Sequence, residues 1–171
     1  NNPHVTMWTA EKDGEPEPVY LKAALAGAVC AYNLDIDPAR PVRTLVLTGR
    51  LPAPVDKRFT REERNNILSY GGATTKVDAG GNVIIERAVT TYTKNPSTGI
   101  TDPSYRDIET MATLSRLRYQ VRARIALRYP RVKLAGDDTE IPPGQAMVTP
   151  KLIKAELVAL HSDWVQAGLV E

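Results

Sequence analysis

Residues 60–92 carry the reading of the fold. They run Thr60-Arg61-Glu62-Glu63-Arg64-Asn65-Asn66-Ile67-Leu68-Ser69-Tyr70, then Gly71-Gly72, then Ala73-Thr74-Thr75-Lys76-Val77-Asp78, then Ala79-Gly80-Gly81, then Asn82-Val83-Ile84-Ile85-Glu86-Arg87-Ala88-Val89-Thr90-Thr91-Tyr92. Thr60 with Glu63 three positions on is a capping box, so a short helix starts here. The Gly71-Gly72 pair ends it. Two β-prone runs follow, at 74–78 and 82–93, joined at Gly80-Gly81 as a hairpin. On the second run Val83, Ile85 and Val89 are expected on one face, and Ile84, Ala88 and Tyr92 on the other. Both faces are apolar, which predicts a strand covered on both sides.

Working outward, Val5, Met7 and Trp8 predict an opening strand, ended by Asp13-Gly14-Glu15-Pro16. A helix is expected over 18–33, with Pro18 at its first position. Residues 23–31 of that helix are small and apolar all round, which predicts burial on most sides. Asp37-Pro38-Ala39-Arg40-Pro41 reads as a loop, because proline disfavours helix at itself and just before it. Residues 44–47 read as a short buried strand, after which Pro52 and Pro54 break the chain.

Asn95-Pro96-Ser97-Thr98-Gly99 is a turn whose proline excludes a glycosylation acceptor. The longest helix is expected over 103–129, stopped by Pro130, with a core stripe of Met111, Leu114, Val121 and Ile125. A loop is expected over 133–144. Thr149 caps the last helix and Pro150 starts it; its stripe is Ile153, Leu157, Leu160 and Trp164, and Gly168 ends it. Together these elements predict a single α/β domain, a two-layer sandwich whose mixed β-sheet, with its β-hairpin, is packed by about four helices.

The 171 residues are enough to bury a core, and the formal net charge of +2 is too small to argue for nucleic acid. A lone cysteine excludes an internal disulfide framework. Read from the sequence, no stretch is long and apolar enough to span a bilayer, and no leader pattern opens the chain. Asn1, in place of an initiator methionine, in what reads as a strand, leads to the expectation that the chain is a piece of a longer protein.

Chemistry-bearing residues are sparse. The histidines, His4 and His161, lie in no recognisable catalytic pattern, and nucleophilic catalysis needs a positioned base. Cys30 sits inside the alanine-rich helix and reads as a small core residue rather than a nucleophile. Two histidines and one cysteine offer no zinc spacing. Asp35-Ile36-Asp37 and Asp137-Asp138 lack the periodic ligands of a calcium loop. Gly80-Gly81 opens no helix and so cradles no phosphate. The expectation is a protein that is not an enzyme and has no catalytic, cofactor or metal site.

Arginine carries the one pattern that asks for an explanation. Arg106, Arg116, Arg118, Arg122, Arg124, Arg128 and Arg131 lie on or beside the long helix. Arg118 and Arg122 share a ridge, as do Arg124 and Arg128. Few acids in the same helix neutralise them. The ridge is either a solvated basic face with some internal ion pairs, or a surface that meets an acidic partner. No aromatic platform is interleaved for nucleic acid.

As a string, residues 60–92 resemble the tail sheath proteins of Mu-like contractile-tailed bacteriophages. The resemblance continues through Leu117-Arg118-Tyr119, Arg128-Tyr129-Pro130-Arg131 and Val148-Thr149-Pro150-Lys151. It implies a structural virion protein of the contractile tail, assembled in the host cytoplasm. Such subunits polymerise as a helical array around a tail tube, and their contraction drives the tube through the host envelope. It implies neighbouring sheath subunits as partners, linked by strand addition, together with the tail tube protein, the baseplate and the tail terminator. No nucleic acid, membrane or cofactor is implied. Arg116, Arg118, Arg122, Arg124 and Arg128 become the expected face toward the tube. The family's chains are longer, so this one is expected to be the core without its outer domains and C-terminal arm, and monomeric in isolation. Two other classes stay open at this point: a non-catalytic α/β binding domain whose basic helix reads an acidic protein, and a small α/β enzyme.

Overall fold

A computed structural model describes residues 1–12 and 15–171. The Asp13-Gly14 turn expected from sequence lies outside these residues. The chain forms two compact units, residues 1–112 and 113–171, where the sequence reading counted one domain.

In the first unit β1 (Met7–Trp8) leads to helix α1 (Val19–Ile36), then α2 (Arg61–Ser69), β2 (Gly72–Val77) and β3 (Val83–Arg87). The sheet order is β1-β2-β3, with β1 parallel and β3 antiparallel to β2. This is the expected mixed sheet with its hairpin. The expected strand at 44–47 is reduced to a single antiparallel bridge, Val46 to Ile84. Thr44 sits at φ +70°, a left-handed value that no regular strand accommodates. Bonds from Ile85 N–H to Leu45 C=O and from Leu47 N–H to Val83 C=O bracket the bridge. The Val46 N–H and C=O therefore point away from β3, toward an open edge.

The faces of β3 follow the expected alternation only as far as Ile85. Thr75 pairs with Ile85 but Thr74 pairs with Arg87, so Glu86 is an extra residue on β3. A bulge of this kind exchanges the inside and outside of everything beyond it. Ala88 accordingly joins Val83 and Ile85 against α1, and Val89 turns to Leu68 on α2. This corrects the assignment of Val89 and Ala88 to faces. Burial on both sides holds, since Val83, Ile84, Ile85, Ala88, Val89 and Tyr92 are all buried.

Glu86 is held at the bulge by Arg64 Nε, 2.7 Å away, and by the Thr74 hydroxyl, 3.0 Å away. Helix α2 starts as its sequence demands. Thr60 accepts from the Glu63 N–H and Glu63 accepts from the Thr60 N–H. The Lys12 ammonium beside it, with the Thr60 bonds, pulls the Glu63 carboxyl down to about 2. A depressed carboxyl stabilises the fold fully above the ordinary glutamate range, and that contribution is lost as the pH falls through about 2. A proton-detected titration is expected to place the Glu63 midpoint near 2. A midpoint in the ordinary range would mean that the Lys12 contact is not made in solution.

Helix α1 is buried along one stripe only, Lys22, Ala26 and Cys30, at i, i+4 and i+8. Ala26 and Cys30 pack on Val42, Leu47, Val83 and Ile85. Tyr20, Leu21, Tyr32 and Ile36 remain exposed, so the expectation of burial on most sides is corrected: the sheet reaches one face of the helix. By length and composition α1 also qualifies as a membrane span, contrary to the sequence expectation that no stretch does. Its Lys22 is 2% exposed and lies 3.8 Å from Glu15, which also pairs with Arg50. Arg50 reaches Glu17 as well, at 2.6 Å. Burial lowers the Lys22 pKa, and Glu15 opposes that shift.

Helix α3 (Ile108–Arg128) begins in the first unit and continues into the second. It starts later than the 103–129 expected. Asp102 closes a turn on Ser104, and Thr90 N–H takes the Arg106 carbonyl, so these backbones serve the turn and the sheet instead of a helix. Met111, Leu114, Val121 and Ile125 are half-buried, not fully enclosed.

In the second unit β4 (Lys133–Leu134) pairs in parallel with β5 (Met147–Val148), and α4 (Pro150–Gln166) follows. The loop expected over 133–144 thus begins with a strand. Its signal was invisible to periodicity because Leu134 is exposed and its partner lies far along the chain. Helix α4 has the expected Thr149 cap and N-terminal proline, and Gly168 at φ +68° ends it. Of its predicted stripe, Leu160 is buried, Ile153 and Trp164 are half-buried, and Leu157 is exposed.

Candidate functional site

The groups capable of chemistry stay apart. Cys30 is buried in α1, and burial pushes its thiol up to about 11. Such a thiol is a poor nucleophile at neutral pH. His161 is exposed and, among the described residues, meets the edge of Trp164, with ring centroids 6.4 Å apart. Among the described residues no group of three His, Cys, Asp or Glu side chains is placed to hold a metal ion.

The arginine ridge separates into two classes. Arg124 pairs with Glu156 at 3.3 Å and with Asp163, and Arg128 reaches Glu156 at 3.4 Å. Trp164 Nε1 donates to Gln120 Oε1 at 2.6 Å. These contacts tie α3 to α4 within the second unit. Glu156 and Asp163 are seven residues apart, two turns on one face of α4, and that spacing was the signal the sequence reading passed over. Arg116 is half-buried and is not a free charge. Arg118 and Arg122 are exposed and, among the described residues, make no ion pair.

Two further surfaces were not legible in the sequence. One is the outer face of α1 described above. The other is a groove of about 540 Å³ on the first unit. Arg43, Thr44, Lys76 and Arg87 line it with Glu86, Asp107 and Glu109. A second hollow of about 410 Å³ shares Pro41, Arg43 and Thr44 with it and adds Arg40. The groove's carboxylates are all engaged within the unit. Asp107 forks onto Arg87 at 2.8 and 2.9 Å, Glu109 takes the Val42 N–H, and Glu86 is held at the bulge.

Comparison with known proteins fits this geometry. The phage tail sheath protein central domain matches residues 1–91, and the phage tail sheath C-terminal domain matches residues 101–171. The Mu-like prophage FluMu tail sheath protein of Haemophilus influenzae is 51% identical over 156 residues, which is 91% of this chain and 32% of the relative. The chain thus spans about a third of that relative's length. A chain in the cryo-EM structure of the anti-feeding prophage (AFP) baseplate, 6-fold symmetrised, shares the fold. It has a TM-score of 0.64 at 13% identity, over 98% of this chain and 41% of that one. With both sheath domains matched in order along its length, this chain belongs to the phage tail sheath family.

Proposed function

We propose that residues 1–171 are the conserved core of a contractile tail sheath subunit. The subunit polymerises helically around a tail tube, and its contraction drives the tube through a host envelope. The match of both sheath domains, 1–91 and 101–171, carries this reading. The protein is structural and catalyses no reaction. Outer domains and a terminal arm occupy the remaining length of the subunit, and the isolated core is monomeric. Neighbouring subunits join by strand addition, which transmits force through main-chain bonds while the bodies move. The outward-pointing Val46 backbone and the position of β1 at the end of the sheet support this. The tube, baseplate and tail terminator are its further partners, neither nucleic acid nor membrane is among them, and assembly takes place in the host cytoplasm.

Of the arginine ridge, Arg118 and Arg122 are the pair best placed to meet an acidic tube. Arg116, Arg124 and Arg128 are already engaged and act first within the molecule. The full-length protein is expected to form tubes visible by electron microscopy, and to decorate tail tubes. Arg118→Glu with Arg122→Glu is expected to weaken decoration about tenfold or more, since opposed charges at a rim cost more than lost ones. Folding should change little, as both sites are exposed. Normal decoration by the double variant would remove these arginines from the tube interface. Failure of the unaltered protein to form tubes or decorate them would remove the sheath reading itself.

A further inference from the structure

Within the sheath reading, we infer that the groove around Arg43 and Lys76 is the acceptor for an acidic loop, residues 136–140, of a second copy of this chain. The groove's carboxylates are satisfied internally, as set out above. Its cations divide differently. Arg87 is forked onto Asp107, whereas Arg40, Arg43 and Lys76 are exposed and, among the described residues, without a partner. With Arg40 of the adjoining hollow counted, four cations, Arg40, Arg43, Lys76 and Arg87, stand against three carboxylates, Glu86, Asp107 and Glu109, and Glu86 is already paired by Arg64 from outside the groove. The combined surface is therefore net positive. A continuous phosphate backbone would meet those acids too. A short segment with separate carboxylates pairs with the unpartnered cations one at a time.

The second unit supplies such a segment. The loop after β4 carries Asp137, Asp138 and Glu140, all exposed. Asp137 accepts from the Lys151 N–H at 2.8 Å, and Thr139 N–H bonds to the Gly136 carbonyl at 3.1 Å, so the loop is braced at its base. Asp138 and Glu140 have no partner among the described residues. They are two free carboxylates, two residues apart, on an already ordered turn. Ordering it on binding therefore costs little additional entropy.

Groove and loop are different patches of the same chain. A contact between them is heterologous: each copy gives its loop to one neighbour and takes the loop of another. Such a contact propagates instead of closing as a dimer, which is what a helical array requires. It adds a charge-based contact to the strand addition proposed above, and it weakens as salt rises.

The test uses the full-length protein, freed of other cysteines, with Arg43→Cys and Asp138→Cys in one chain. Oxidation of assembled tubes is expected to give a ladder of covalent multimers on a non-reducing gel. Either single-cysteine variant should give no ladder. In parallel, Arg43→Glu with Lys76→Glu is expected to raise the concentration needed for assembly roughly tenfold, and adding Asp138→Lys with Glu140→Lys should restore it. Unfolding curves of the charge variants should match the parent. Tubes that form normally but give no ladder, a disulfide confined to one chain, or cross-links to the tube protein would each overturn the inference while leaving the sheath reading intact. If the parent protein forms no tubes, the sheath reading falls and this inference falls with it.

Discussion

Gly71→Val is expected to destabilise the first unit by about 3–5 kcal/mol, among the largest effects available to a single substitution here. Gly71 joins α2 to β2 at φ +80°, a left-handed value that a β-branched side chain resists. A Cβ at this site would lie 3.0 Å from the Thr91 Cα and 3.1 Å from the Thr90 carbonyl oxygen. Both are backbone atoms of the segment after β3 and cannot rotate away. Hydrogen exchange of the β2 and β3 amides is the measurement, since the loss should appear there first. Gly81→Val is the control. Gly81 has a similar φ of +83°, but nothing lies within 4 Å of its would-be Cβ. Its smaller cost reports the backbone strain alone. Equal effects at the two sites would show that the close approach of Thr90 and Thr91 contributes nothing.

The second large effect is expected at Glu15. Its carboxylate is the shared partner of Lys22 and Arg50, whose side chains are each 3% exposed. Glu15→Leu leaves two buried cations, Arg50 with Glu17 beside it and Lys22 with only the longer-range field of Glu11 among the described residues. Removing one member of such a cluster costs about 3–5 kcal/mol, because the remaining charge stays desolvated. Glu15→Leu combined with Lys22→Met and Arg50→Met should recover most of that loss, since a packed apolar replacement needs no counter-charge. Denaturant unfolding of the two variants decides the matter. If the triple variant is no more stable than the single one, the cost lies in packing and not in uncompensated charge.

Local chemistry was legible because it needs no distant partner. The Thr60–Glu63 capping box, the Gly80-Gly81 hairpin turn, the Thr149-Pro150 helix start and the Gly168 stop each rest on residues a few positions apart. Those signals, with apolar runs of the right lengths, determined the α/β class and the number of helices. The resemblance of residues 60–92 pointed to the family, because several unusual strings occur in order.

What the tertiary structure decided depends on which segments meet. The bulge at Glu86 turned Ala88 and Val89 to faces opposite to those their alternation implied, because only the pairing with β2 reveals an extra residue. Strand β4 exists because β5 lies alongside it, not because Lys133-Leu134 favours extension. The alanine-rich helix is apolar all round, yet the sheet covers only its Lys22, Ala26 and Cys30 stripe. Arg124 and Arg128 read as a solvent-facing ridge until α4 brought Glu156 and Asp163 beside them. Charge in a sequence is a property of one residue, whereas the partner that neutralises it is a property of the fold. That is why the sequence alone identified the basic helix, and only the structure separated Arg124 and Arg128, which are paired, from Arg118 and Arg122, which are exposed and make no ion pair among the described residues.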